Sequence, residues 1–122
     1  MHAGFPSPAE DFLDRRIDLS TALITHPQAT FFQRVAGDSM REFGIYDRDL
    51  LIVNRALRRH HGDIVIAVVD GEFTVKQLYE KFGVIKLKAG NPTYPDIIPK
   101  DGQTIEIWGV VTHSIKNFRQ QS

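Results

Sequence analysis

The chain has no cysteine, so a disulfide framework, a thiolate zinc site and a cysteine nucleophile are all excluded. It has no excess of either charge. Fifteen Lys and Arg balance fifteen Asp and Glu, so no global field draws it onto nucleic acid or anionic lipid, and any such contact must be local. Long apolar runs are missing as well: the longest, Ile64 to Val69, has six residues against the roughly 20 that span a bilayer. Met1-His2-Ala3-Gly4 leads straight into Phe5-Pro6-Ser7-Pro8 with no basic region and apolar core, so nothing reads as an export signal. No glycine-rich phosphate cradle, internal repeat or low-complexity tract occurs. The expectation is a soluble, cytoplasmic protein with no membrane segment, no cofactor and no bound nucleotide.

What is present fits one domain: 122 residues, 42% of them apolar and 25% charged. Gly4 to Asp11 holds Pro6 and Pro8, which fix φ and remove donors, so residues 1–17 are read as an extended arm and 18–122 as the folded domain. Asp18 is placed to cap a short helix over Leu19 to Thr25, with Leu19, Leu23 and Ile24 on one side and Pro27 just beyond its end. From Thr30 onward the chain is mostly β. Runs rich in Val, Ile, Phe and Thr cover Thr30–Val35, Asp49–Val53, Asp63–Val69, Glu72–Tyr79, Val84–Lys88 and Thr104–Lys116, separated by Gly, Asp, Asn and Pro, as in a sandwich or partly open barrel.

Asp70-Gly71 between two such runs is a two-residue type I′ hairpin signal, and it sets a register. With those residues in the turn, Val69 faces Glu72, Ala67 faces Thr74 and Val65 faces Lys76. Lys76 then shares a face with Val65, Ala67 and Leu78, where a charge is costly and the amine tends to lose its proton. A second segment, Ala36-Gly37-Asp38-Ser39-Met40, precedes a helical turn through Arg41, Glu42 and Phe43, which would put Ser39 at a helix N-terminus among unpaired N–H groups able to receive an oxyanion. A serine nucleophile needs a base. His2, His26, His60, His61 and His113 form no Ser-His-Asp pattern in sequence, whereas Lys76, once desolvated, can serve. On residue types alone both features have simpler readings, since Gly-Asp-Ser is most often a turn or cap and a strand lysine usually snorkels to solvent. His60-His61 lacks a third ligand at metal spacing, so no metal site is expected. Arg55, Arg58, Arg59, Lys81, Lys86 and Lys88 are read as solvated basic residues.

Taken together, Gly4-Phe5-Pro6-Ser7-Pro8-Ala9, Arg16-Ile17-Asp18-Leu19, Gly37-Asp38-Ser39-Met40, Asp49-Leu50-Leu51-Ile52-Val53, His61-Gly62-Asp63-Ile64-Val65-Ile66-Ala67 and Val69-Asp70-Gly71-Glu72-Phe73-Thr74-Val75-Lys76 resemble the LexA/UmuD family of self-cleaving serine peptidases. The resemblance runs from Gly4 to about Lys116. It implies a mostly β, LexA-like peptidase domain with Ser39 as nucleophile, Lys76 as general base and backbone amides of Asp38 and Ser39 as oxyanion hole. It also implies self-cleavage at an Ala-Gly or Cys-Gly bond in the arm, here Ala3-Gly4, promoted by a RecA–single-stranded DNA filament. The cut product of such relatives forms a homodimer that joins a UmuC-like polymerase subunit to make the error-prone translesion DNA polymerase V, in the SOS response to DNA damage.

Relatives carry a longer segment before that bond. The chain therefore looks nearly processed, and a shortened chain and a naturally short arm both stay open. A non-cleaving interaction module and the C-terminal peptidase domain of a LexA-like repressor are the alternatives. No helix-turn-helix pattern lies before Thr30, so sequence-specific DNA binding is not expected, and a signal peptidase would need a membrane anchor. The run from Ile105 to Phe118 reads as a core strand ahead of a dimer or polymerase surface.

Overall fold

The computed structural model describes residues 16–100 and 103–119. Its framework comes from strand pairing. Strands β1 (Thr30–Arg34), β2 (Leu50–Asn54), β3 (Ile64–Val69), β4 (Glu72–Lys81), β5 (Val84–Lys88) and β6 (Ile105–Ile115) form one open sheet in the order β1-β2-β6-β3-β4-β5, every pair antiparallel. All six expected runs become strands and the mostly β class holds.

Asp70 and Gly71 take left-handed backbone, φ 49° and 86°, and the β3–β4 ladder runs Val69↔Glu72, Ala67↔Thr74, Val65↔Lys76 as the turn requires. A second tight turn, Phe82-Gly83, has the same left-handed pair at φ 53° and 75° and carries β4 two residues past its expected end. That turn carries no Asn or Asp to announce it, and a bulky residue at positive φ is uncommon. The last strand, β6, lies between β2 and β3. Its pairing skips Thr112 opposite Ile52/Val53 and Trp108 opposite Ile66/Ala67, two bulges that let one long strand serve both neighbours.

Period-two alternation divides the apolar residues between the two faces. Met40, Ile45, Leu51, Val53 and Ile66 form one buried cluster, whereas Val65, Ala67, Leu78 and Leu87 form the other, with Ile97 packed against it. The connection between β1 and β2 supplies Met40 and Ile45, so the loop that carries Ser39 is part of the first core.

Helix α1 (Leu19–Leu23) begins where expected, because the Asp18 carboxylate accepts from the N–H groups of Ser20 and Thr21 at 3.1 and 3.4 Å. It ends earlier than Thr25, since Ile24 is already extended, and Leu19 stays 60% exposed, so its apolar side finds no core. No helix among the described residues is long and apolar enough to cross a membrane.

Asp49 ties the far end of β6 to the turn before β2. Its buried carboxylate accepts from the Tyr46 N–H at 2.9 Å, the Ser114 hydroxyl at 3.1 Å and the Lys116 ammonium. Burial pushes the Asp49 carboxyl up, but the Lys116 ammonium and the two hydrogen bonds outweigh it and hold the group below its ordinary value. A carboxylate whose folded pKa is depressed stabilises the protein above its unfolded value, about 3.9, and loses that contribution as pH falls through the folded value. Asp49→Asn is therefore expected to lower stability by about 1.5–3 kcal/mol at pH 7, the usual worth of a charge-assisted hydrogen bond. Urea titrations should show the gap closing as pH falls below the unfolded carboxylate value and through the depressed folded one.

Candidate active site

Ser39 sits in the β1–β2 connection, half-buried, two residues after Gly37 turns the chain at φ 89°. The Gly37 N–H donates to the Asp47 carboxylate at 2.8 Å, closing this loop on itself. The expected helical turn is real but small: a three-residue 3-10 helix, Arg41–Phe43, whose cap residue is Met40 and not Ser39. Ser39 is thus one residue ahead of the cap of a helix too short for an appreciable macrodipole, and any oxyanion stabilisation must come from individual backbone amides. Among the described residues, the N–H groups of Asp38, Ser39 and Met40 donate to no partner.

Lys76 lies on β4 opposite Val65 and is only 7% exposed. Its amine donates to Thr74 Oγ1 at 2.9 Å and to the Val75 carbonyl at 3.1 Å, and among the described residues no carboxylate pairs with it. Burial alone pulls its pKa below the ordinary lysine value. The snorkelling alternative does not hold at this position.

Thr74 is common to the surroundings of both residues, and Lys76 itself does not line the hollow that holds Ser39. A hollow of about 200 Å³ is lined by Ser39 and Met40 on one side and by Phe73, Thr74, Val75 and Ile66 on the other. Thr74 thus borders the hollow that holds Ser39 and receives the Lys76 amine, while Ser39 and Lys76 themselves share no hydrogen bond. Thr74 is legible only after the register is known, as the residue one pleat before Lys76 on the same face. Ala3 and Gly4, the expected scissile pair, lie outside the described residues.

The other singled-out groups are accounted for by contacts elsewhere. His61 Nδ1 accepts from the Glu80 N–H at 3.1 Å, and Arg59 pairs with the Glu80 carboxylate at 3.1 Å. Arg55, Arg58 and Arg59 line one open hollow beside Trp108, with Arg55 4.4 Å over the indole ring, while Lys86 lies over Tyr79. A loop that the sequence reading overlooked closes on the serine segment: Gly90, Asn91 and Tyr94 all bond to residues 38–42. Its only signal in sequence is the turn pair Asn91-Pro92.

Residues 1–112 match the Peptidase S24-like family. Relatives include protein SamA of Salmonella typhimurium strain LT2, 47% identical over 117 residues, which cover 96% of this chain and 81% of SamA. Protein ImpA of Escherichia coli is 44% identical over 119 residues, covering 97% and 80% of the two chains, and protein MucA of Escherichia coli is 43% identical over 115 residues, covering 93% and 77%. These matches define the class, a serine peptidase domain. The chain belongs to the Peptidase S24-like family, the LexA and UmuD group of self-cleaving peptidases.

The buried amine leads to a stability prediction. A lysine whose folded pKa is depressed destabilises the fold at every pH below that value, and the penalty fades as pH rises toward the unfolded value, about 10.4. Lys76→Met keeps the volume and removes the charge, so it should melt at or above the wild-type temperature at pH 6, with the gap narrowing by pH 10 in thermal scans.

Proposed function

We propose that this chain is an UmuD-like mutagenesis protein that cleaves its own arm at Ala3-Gly4 with Ser39 as nucleophile and Lys76 as general base. The observation that carries the reading is the buried amine of Lys76, bonded to Thr74 on the rim of the Ser39 hollow and paired with no carboxylate among the described residues. In its neutral form the amine has two N–H groups and one lone pair. Donation to Thr74 Oγ1 and to the Val75 carbonyl uses both N–H groups and leaves the lone pair free to take a proton. Thr74, which borders the Ser39 hollow, also holds the amine in place on that side of the strand.

In the proposed reaction the Ser39 oxygen attacks the Ala3 carbonyl carbon while Lys76 takes the hydroxyl proton. Negative charge develops on the carbonyl oxygen, where N–H groups of the 38–40 segment stabilise it. The intermediate collapses by breaking the Ala3–Gly4 C–N bond as the Lys76 ammonium protonates the departing Gly4 amine. Lys76, neutral again, then activates water against the Ala3–Ser39 ester, which frees the Ala3 carboxylate and restores the serine. Small residues on both sides of the bond suit a narrow hollow.

By family likeness the cut product forms a homodimer and serves a UmuC-like subunit of the translesion DNA polymerase V, with a RecA–single-stranded DNA filament promoting the cut. Membership of the family and the likeness to SamA, ImpA and MucA support this assignment.

Intact mass after incubation is the direct test. The wild type is expected to lose Met1-His2-Ala3, faster as pH rises from 7 to 10 and the Lys76 amine becomes neutral, whereas Ser39→Ala and Lys76→Ala keep their full mass. Cleavage by the Lys76→Ala protein at the wild-type rate would sink the dyad.

A further inference from the structure

The loop that follows β5 grips the serine segment at two consecutive peptide groups. Asn91 Nδ2 donates to the Asp38 carbonyl at 3.1 Å, and the Gly90 N–H donates to the Ser39 carbonyl at 2.7 Å. The Glu42 N–H returns a bond to the Gly90 carbonyl at 2.8 Å, and the Tyr94 hydroxyl donates to the Asp38 carboxylate at 3.0 Å. Asn91 is itself held. It is 3% exposed, and its Oδ1 accepts from the Thr93 N–H at 3.0 Å and the Thr93 hydroxyl at 2.9 Å, which commits the amide nitrogen to Asp38. Gly90 comes so close that a Cβ there would stand 2.5 Å from the Phe43 ring and 3.0 Å from Met40 Cα.

In a planar trans peptide the N–H points opposite to the C=O. Fixing the Asp38 carbonyl toward Asn91 therefore aims the Ser39 N–H away from this loop. Fixing the Ser39 carbonyl toward Gly90 does the same for the Met40 N–H. Both N–H groups lack a described partner, and both residues line the hollow shared with Thr74.

Resting on the proposed role of Ser39, we infer that Asn91 is a positioning residue: through the Asp38 carbonyl it presets the Ser39 N–H, and with Gly90 the Met40 N–H, as donors to the oxyanion. Asn91 touches no reacting atom. Its effect is on transition-state charge, so it belongs in the rate of the chemical step and not in binding.

The test is phosphonylation of Ser39 by a small alkyl fluorophosphonate, which places a phosphoryl oxygen where the oxyanion forms, measured on the whole chain as limiting rate and half-saturation. Asn91→Ala and the isosteric Asn91→Asp, whose carboxylate offers the Asp38 carbonyl no donor, are expected to lose about 10- to 100-fold in limiting rate. That is less than the roughly 10²–10³ lost when an oxyanion donor is deleted outright. Half-saturation should stay within about twofold, and melting temperature should not track the loss. A wild-type limiting rate in either folded variant overturns the inference; should Asn91→Ala not fold, Asn91→Asp carries the test. A Ser39→Ala protein that labels like wild type, or a wild type that does not label, overturns the nucleophile assignment itself and this inference with it.

Discussion

A primary amine sealed into the face of a β-sheet is the constraint around which the rest of the structure is arranged. Desolvation lowers its proton affinity, and desolvation depends on register: Val65 opposite, Thr74 and Leu78 on either side, and no acid paired with it among the described residues. One residue of slip would turn Lys76 to the opposite face of the sheet, away from Val65, Ala67 and Leu78. The Asp70-Gly71 turn, whose two left-handed residues admit one pairing, therefore determines the chemistry of a side chain five positions away. The same burial costs stability, and the sheet carries that cost with apolar clusters on both faces.

The second half of the site is built on different terms. Ser39 sits on irregular backbone, and its geometry comes from contacts with distant segments: Asp47 on one side, Gly90 and Asn91 on the other. Met40 and Ile45, from the same loop, are buried against Leu51, Val53 and Ile66, so the loop is anchored as core while its polar backbone faces the hollow. Rigid placement of both partners follows from their seating in packing that exists for stability.

The strands and the β3–β4 register were legible because alternation and the Asp-Gly turn are local signals. Lys76 could be placed among apolar neighbours by the same arithmetic. β5 was legible to the residue, but the end of β4 was less so, since Phe82 occupies a left-handed position that its residue type disfavours. The helical turn expected through Arg41, Glu42 and Phe43 is present as a 3-10 turn that Gly44, at φ 79°, ends after three residues, but its cap is Met40 and not Ser39. Thr74 as the lysine's partner follows from the register, one pleat away on the same face, whereas the strap from Gly90 to Tyr94 was not legible: hydrogen bonds between residues far apart in sequence leave no period to read. Family resemblance named Ser39 and Lys76 ahead of any such geometry.

The strap has a bearing on when the domain becomes able to act. The Asn91 to Asp38 contact joins residues 53 apart, and pairings of such separation form late, after intervening strands have been added. During synthesis the arm and the serine loop leave the ribosome well before β4, β5 and the Asn91 turn. On the proposed roles of Ser39 and Lys76, an unfinished chain would hold the nucleophile without its base or its backbone template, and self-cleavage would wait until the domain is whole.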